Sequence, residues 1–376
     1  MVTWAARRGA GPGWLWSSVA VALLSAPAHA EPDARAVLLS RFAAFDRQVV
    51  ADTASSPPGN NDRGGLAWGA SYVLTAYAEM LDATHEPRYA ERFIQLADGV
   101  LAQRDDRRNV TDAYRDRVVP AWSSTRYTKD KRYAWAVHTG MLTFPMARFA
   151  SVVLNTPTLR MRFGTEARRI LDAARESVTV HDVDWRDGPN DDEGYMVCLH
   201  LKKLLPLNQQ NAIGRAWLAI DDALSEPHYR PRIEKLARFL KRRLRHDEQL
   251  DAYDWSYWPG PDDLGKGSED ISHAAINVDF AVLCRRHRIV FDATDMARFG
   301  ATLTRRVWSA DGPIADTVAG EGKDRHADAI YRWARLGRVN PDIRDRFIAD
   351  LCADDKPPNI PQAIAIAHMV ATLDAP

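Results

Sequence analysis

Almost every apolar stretch of this 376-residue chain repeats with helical spacing, and the stretches fall into pairs joined by very short links. Strand-like alternation is scarce, and Pro, Gly, Asn and Asp clusters punctuate the chain at helix-length intervals. The pattern predicts helices at 33–52, 66–83, 87–103, 131–153, 158–178, 207–224, 228–246, 269–287, 293–308, 325–337, 341–353 and 361–373. The polar link Asp82-Ala83-Thr84-His85-Glu86 runs into Pro87, and Ser225-Glu226 runs into Pro227. A proline in the first turn forfeits no hydrogen bond, so each link-plus-proline reads as a helix restart.

The two members of a pair differ in surface. Pro87 to Phe93 and His228 to Glu234 carry charge along one face, as an outer, solvated helix does. Their partners, Gly65 to Tyr72 and Asn211 to Leu218, are small and apolar around most of the circumference, which requires cover on all sides. Repeated inner–outer hairpins predict an all-α fold, an (α/α) toroid of about six hairpins, or seven at most, spanning 31–376 as one domain. An open α-solenoid scaffold is the alternative, but the hairpins vary too much in length for a regular array. Four long linkers, 104–130, 181–206, 250–269 and 311–324, are rich in Trp, Tyr, Gly, Asp and Arg. Linkers of that length are functional where they are ordered, and in a toroid they would crown one end of the central cavity.

The first thirty residues read as an export signal. Arg7 and Arg8 precede an apolar run from Trp14 to Ser25, and Ala28-His29-Ala30 has small residues at the cleavage-specifying positions. The run is about a dozen residues, short of the ~20 that span a bilayer, and no later segment is apolar enough. A periplasmic or secreted protein cleaved after Ala30 is expected. Fifty basic and fifty acidic residues leave the mature chain near −2, because the leader holds two of the basic ones. That balance argues against nucleic acid as a partner. Cys198, Cys284 and Cys352 are odd in number, widely spaced and set in apolar stretches, so buried free thiols are expected. No metal-ligand spacing, phosphate loop or nucleophile elbow occurs, and no cofactor is implied.

Three segments could carry chemistry. In the first, Tyr253-Asp254-Trp255-Ser256-Tyr257-Trp258 precedes a helix start at Glu269-Asp270-Ile271-Ser272-His273. Ser268 suits the N-cap, with Glu269 and Asp270 in the first turn, and Asp270, His273 and Asn277 share one helical face. A histidine tied to a carboxylate at a helix start is commonplace, and the adjacent aromatic run is what favours a sugar site. In the second, Asn208 and Asn211 lie three apart at the start of an inner-type helix, where one could serve as a cap or both could meet a ligand. In the third, Asp324, Asp328, Tyr331 and Arg335 share a face at helical spacing, with Arg325 at the entry. Nearby cations would lower the tyrosine pKa, although core packing is the commoner role for such a tyrosine. Trp68, Tyr72, Trp135 and His138 are further candidates for cavity lining, against the plainer reading that they are core.

Leu207 to Ala216, Tyr253 to Trp258 and Glu269 to Phe280 together resemble toroidal polysaccharide lyases acting on uronic-acid polymers. The nearest resemblance is to the family that contains endo-β-1,4-glucuronan lyases and alginate lyase, and it extends from about Gly64 to the C-terminus. It implies an anionic polysaccharide substrate and β-elimination: removal of the C5 proton of a uronate and expulsion of the sugar linked at C4. Such families neutralise the C5 carboxylate with Asn, His and Arg, which here implies Asn208 or Asn211, His273 and Arg325. They use a tyrosine as base and then acid, which implies Tyr331, with Tyr257 as the substitute. Tyr257, Trp258, Asp270, Trp68 and His138 would complete the substrate-binding surface. The rival expectations are a toroidal glycoside hydrolase, a uronate C5-epimerase and a non-catalytic oligouronate-binding protein.

Overall fold

Small and apolar residues all round a helix bury it completely, and the helices that carry this signature form the inner wall of a ring. The computed structural model describes residues 33–55, 59–200, 202–224, 226–260, 267–308 and 312–373; the expected leader lies outside them. The inner helices are α2 (Ser71–Thr84, entered through a π turn at Leu66–Ala70), α5 (Ala136–Asn155), α7 (Leu207–Ala223) and α9 (Ile271–Arg286). A 3₁₀ helix (Ala327–Arg338) and α12 (Ile360–Leu373) complete the set. Each packs on the next in chain order and α12 returns to α2, so the wall closes. Outside it lie α1 (Ala34–Ser55), α3 (Pro87–Ala102), α6 (Pro157–Thr179), α8 (Arg230–Lys241), α10 (Ala293–Ala301) and α11 (Pro341–Ala353). A short helix, α4 (Asp105–Arg108), sits within the first long linker. Residues Ala34–Pro376 form one unit, an (α/α) toroid.

The links are asymmetric. Inner helices pass to their outer partners through short segments such as 85–86, the single residue Thr156, and 339–340. Outer helices return to the next inner start through the long linkers, which therefore gather at the mouth where the inner helices begin. The linkers are not irregular throughout, as three small antiparallel sheets stiffen them. These are β1–β2 (Thr111–Asp112 with Arg117–Val118), β3–β4–β5 (Trp185–Asp187, Gly194–Cys198, Lys203–Leu204) and β6–β7 (Arg245–Asp247 with Ala252–Asp254).

Helix ends correct two expectations. Pro87 does open α3, after His85 turns left-handed at φ 55°. Pro227 opens nothing: α8 begins at Arg230 with Pro231 in its first turn, because Asp221 accepts the N–H groups of His228 and Tyr229 and fixes the chain just ahead of that start. The N-cap of α9 is Asp270 rather than Ser268, and the Ser268 hydroxyl donates to Asp254 instead. Of the cysteines, Cys198 and Cys284 are buried and Cys352 is half-exposed beside the carbonyl of Ala34; none of the three is in a disulfide among the described residues.

Two features fix the ring. Gly140 of α5 lies so close to α7 that a Cβ there would stand 2.5 Å from backbone atoms of Ala212 and Ile213, an approach that only glycine allows. The axis is filled by charge, and every inner helix contributes. Glu79 of α2 is fully buried and accepts from Arg148 (3.3 Å), Arg335 (2.7 Å) and Arg338 (3.3 Å), with His368 3.7 Å away. Asp279 of α9 binds Arg335 and, at 2.8 Å, Arg215 of α7. Burial pushes the Glu79 carboxyl upward, but the facing arginines outweigh it and hold its pKa well below the usual range.

Candidate functional site

At the mouth, five rings from different elements form a continuous chain. The Tyr257 and His273 rings lie 5.3 Å apart, His273 and Trp68 6.4 Å, Trp68 and His138 6.0 Å, and His138 and Tyr127 5.7 Å. Helix starts supply His273 (α9), Trp68 (the π turn) and His138 (α5), while linkers supply Tyr257 and Tyr127. Trp68 donates its indole N–H to the Tyr127 hydroxyl at 3.1 Å. Gly64 (φ 79°) lets the chain cross this cluster, since a Cβ would meet Arg126 at 2.9 Å and His138 at 3.3 Å.

His273 is anchored by its own helix. Asp270 accepts the backbone N–H groups of Ser272 and His273 through Oδ1, at 3.0 Å each, and its Oδ2 lies 2.5 Å from His273 Nδ1. Burial alone would raise the Asp270 pKa, but its bonds to His273 and the imidazole charge bring it below the ordinary value. The opposite nitrogen of the ring, Nε2, is not engaged by Asp270, and the side chain is 36% exposed. His138 is fully buried. Its Nδ1 lies 3.3 Å from both the Asn61 amide nitrogen and the Ser124 hydroxyl, which places the imidazole proton on Nε2. That Nε2 has no partner within the protein. Burial, reinforced by the Arg126 charge, lowers the His138 pKa to about 3, so the ring is neutral.

Asn208 is not a cap. It sits inside the first turn of α7, is 1% exposed, and neither its amide oxygen nor its nitrogen has a protein partner. Buried amides are almost always paired, so a wholly unpaired one at a mouth marks a place for something else. Asn211 donates to the Asn277 oxygen at 2.7 Å, and its own oxygen is unpaired. Asn277 in turn donates to Glu269 at 2.5 Å, and the Trp255 indole donates to the same carboxyl oxygen. Burial, with the nearby Asp270 charge adding, raises the Glu269 pKa well above normal. Glu269 therefore acts as a buried anchor for the Asn277–Asn211 pair, having left the helix turn in which sequence spacing put it.

The aromatic run splits by alternation. Tyr253 and Trp255 enter the core, where the Tyr253 hydroxyl donates to Asp295 at 2.7 Å. Tyr257 and Trp258 stay half-buried at the mouth, and Lys203 Nζ stands 3.8 Å above the Trp258 ring beside a cleft of about 190 Å³. Burial, then the Glu269 charge, raises the Tyr257 pKa, so its hydroxyl is protonated.

The structure separates Tyr331 from this cluster. Its hydroxyl donates to Asp350 of α11 at 2.7 Å and its ring packs on Phe347, on the outer side of the wall. Burial and Asp350 both raise its pKa, the reverse of the shift a base needs. The physical reason is helix type. Ala327–Arg338 is a 3₁₀ helix, in which residues three apart eclipse, so Arg332, Arg335 and Arg338 share the inward face and Tyr331 leaves it. Arg325 is exposed ahead of that helix, and among the described residues no hydrogen bond, ion pair or ring contact joins its side chain to the ring cluster. Arg332 takes the inward place, donating to the Tyr72 hydroxyl and the Ser272 hydroxyl at 3.2 Å each. Sequence spacing did not single out Asn61, Tyr127, Arg126 or Arg332; only the 3₁₀ period or the folded linkers bring them in. Among the described residues no group of three or more His, Cys, Asp or Glu is placed to hold a metal, and no helix is long and apolar enough to cross a membrane.

No protein-family model matches the chain, and no curated protein matches it in sequence. Solved structures do. The GH76A alpha-1,6-mannanase from Salegentibacter sp. HEL1_6 superposes with a TM-score of 0.53 at 10% identity, covering 91% of this chain and 99% of that one. An inactive variant of that mannanase in complex with alpha-1,6-mannotetrose gives 0.53 at 9%, covering 90% and 98%. A polysaccharide lyase gives 0.41 at 12%, covering 91% and 99%. The likeness to the mannanase is one of fold. It places this chain among (α/α) toroids and leaves the chemistry to the residues at the mouth.

Proposed function

We propose that this protein is a carbohydrate-active enzyme, a polysaccharide lyase that cleaves a uronic-acid polymer by β-elimination at the inner-helix mouth. The supporting observation is the set of buried polar groups without protein partners at that mouth: the Asn208 amide, the Asn211 oxygen and His138 Nε2. Abstracting the C5 proton of a uronate places charge on the neighbouring carboxylate, and donors fixed in advance stabilise such charge most effectively. The Asn208 amide and the neutral His138 N–H are donors of that kind, with Arg126 and Arg332 as nearby cations.

In this reading two residues divide the steps. His273, oriented through Nδ1 by Asp270, takes the C5 proton on Nε2. Tyr257, protonated and with its ring 5.3 Å away, gives a proton to the departing O4. In D-glucuronate and D-mannuronate, H5 and O4 lie on one face of the sugar, so adjacent residues serve both steps. Tyr127, Trp68 and Trp258 would stack the flanking sugars. A hydrolase reading needs two available carboxyls facing each other across the bond. Among the described residues of the mouth, Glu269 is fully buried and bonded to Trp255 and Asn277, and Asp270 is committed to His273 and the helix cap. Incubation with glucuronan, polymannuronate and related polymers tests the proposal. The ultraviolet absorbance of a 4,5-unsaturated uronate should rise as chains shorten. New reducing ends without that absorbance would establish hydrolysis instead.

A further inference from the structure

The opposite mouth, where the inner helices end, carries a different chemistry. A cavity of about 670 Å³ is lined by Arg285, Arg286, Arg288, Arg335 and Arg338, over an apolar floor that includes Val282, Leu283 and Met296. Among the described residues no carboxylate lines it. Arg335 and Arg338 are the lower members of the axial network and are neutralised from behind by Glu79, Asp82 and Asp279. The other three are not. Among the described residues, none of Arg285, Arg286 and Arg288 has a carboxylate within ion-pair distance, whereas intervening His287 pairs with Asp222 at 3.3 Å. The nearest acid along the chain, Asp292, is taken up in capping α10, where it accepts the Asp295 N–H at 3.0 Å.

Arginines at a helix end have an ordinary explanation, since the C-terminal carbonyls carry a negative partial charge. That charge is about half an elementary unit per helix, which falls short of three full guanidinium charges. The cavity's size suits a small ligand rather than a polymer groove, and guanidinium forks match carboxylate and phosphate oxygens in pairs.

We infer that this far mouth is a second binding site, for a small oxyanion bearing two or more negative charges. A short acidic oligosaccharide and a phosphate-type anion share that chemistry. Binding there would join α9, α10 and the 3₁₀ helix through one ligand, on the side of the ring away from His273. The inference stands whether or not the opposite mouth is a lyase site.

Isothermal titration calorimetry at fixed ionic strength tests it. The probes are inorganic pyrophosphate and a glucuronate disaccharide, and the protein carries His273→Ala so that sugar is not consumed. The comparison adds Arg286→Ala with Arg288→Ala, two exposed residues whose loss leaves the axial network intact. Saturable binding of either probe, with Kd at least tenfold weaker in the double variant, supports the site, and the probe that saturates names the source. An Asn208→Ala variant at the other mouth should leave this binding unchanged. Absence of saturation by both probes, or equal Kd values with and without the two arginines, would overturn the inference.

Discussion

Asp270 holds His273 twice, by backbone and by side chain: its Oδ1 caps the helix at the His273 N–H while its Oδ2 lies 2.5 Å from Nδ1 of the same residue. One carboxylate thus sets where α9 starts and which way the imidazole turns. The two roles separate by substitution. Asn caps a helix nearly as well as Asp but cannot hold the imidazole through charge. Asp270→Asn should leave urea stability within about 0.5 kcal/mol. Its kcat should fall by a factor on the order of 10² to 10⁴, as when an oriented base loses its partner. Asp270→Ala should lose activity and a further ~1 kcal/mol of stability. An Asp270→Asn enzyme with full kcat would remove His273 as the oriented base.

Tyr331 and Tyr257 make opposite predictions. Tyr331→Phe removes the bond to Asp350 and should cost about 1 kcal/mol of stability while leaving kcat unchanged. Tyr257→Phe, in the ring cluster beside His273, should lower kcat at least tenfold with little change in melting temperature. Initial rates on a polyuronate together with melting curves check both. Loss of activity in Tyr331→Phe alone would return the proton-donor role to the outer face of the 3₁₀ helix.

These two tyrosines show how far the sequence reaches. Pairs of helices joined by short links and prolines follow from 3.6-residue periodicity, which is local, so the inner and outer classes at Pro87 and at Asn211 could be assigned before folding. The candidate residues on α-helical starts, Asn208, Asn211, His273 and His138, also fall where inner helices open. Tyr331 was assigned with an α-helical period to a segment that folds with three residues per turn, and that change moves every side chain to another face. Glu269 was assigned to a first turn, but Asp270 takes the cap one step later and Glu269 goes into the core. Tyr127, Arg126 and Asn61 are placed by linkers whose course depends on tertiary contacts, so no periodicity marks them.

Three buried histidines set the response to mild acid. Burial lowers the His138 pKa to about 3, with Arg126 adding to it, lowers His368 well below its normal value, and lowers His181 despite the opposing Asp184 carboxylate. The unfolded chain binds these protons near pH 6.5, while the folded chain refuses them until lower pH. Stability is therefore greatest above about pH 6.5 and falls as pH drops, by up to about 1.4 kcal/mol per unit for each histidine. Urea unfolding between pH 7 and 5 should show this slope, and His138→Gln should remove the share that His138 carries, leaving that of His181 and His368. A stability independent of pH over that range would show that none of the three rings is held neutral.

The axial network governs stronger acid. The Glu79 pKa is depressed, so its contribution is complete above the unfolded carboxylate value, near pH 4.3, and is lost as pH falls toward the folded one. Replacing one partner of a buried set costs far more than an exposed pair would, because the remaining charges stay buried. Glu79→Gln leaves Arg148, Arg335 and Arg338 facing one another around a neutral amide, and should cost roughly 3–5 kcal/mol. Its effect should be reproduced in kind by acid: the wild type below pH 4 should approach the variant's stability, and the difference between them should shrink as Glu79 takes up its proton. The measurement is the urea midpoint of both proteins from pH 7 down to pH 3. If Glu79→Gln unfolds at the wild-type midpoint throughout, the carboxylate does not bind the ring together, and closure rests on the α5–α7 contact at Gly140 and the apolar packing alone.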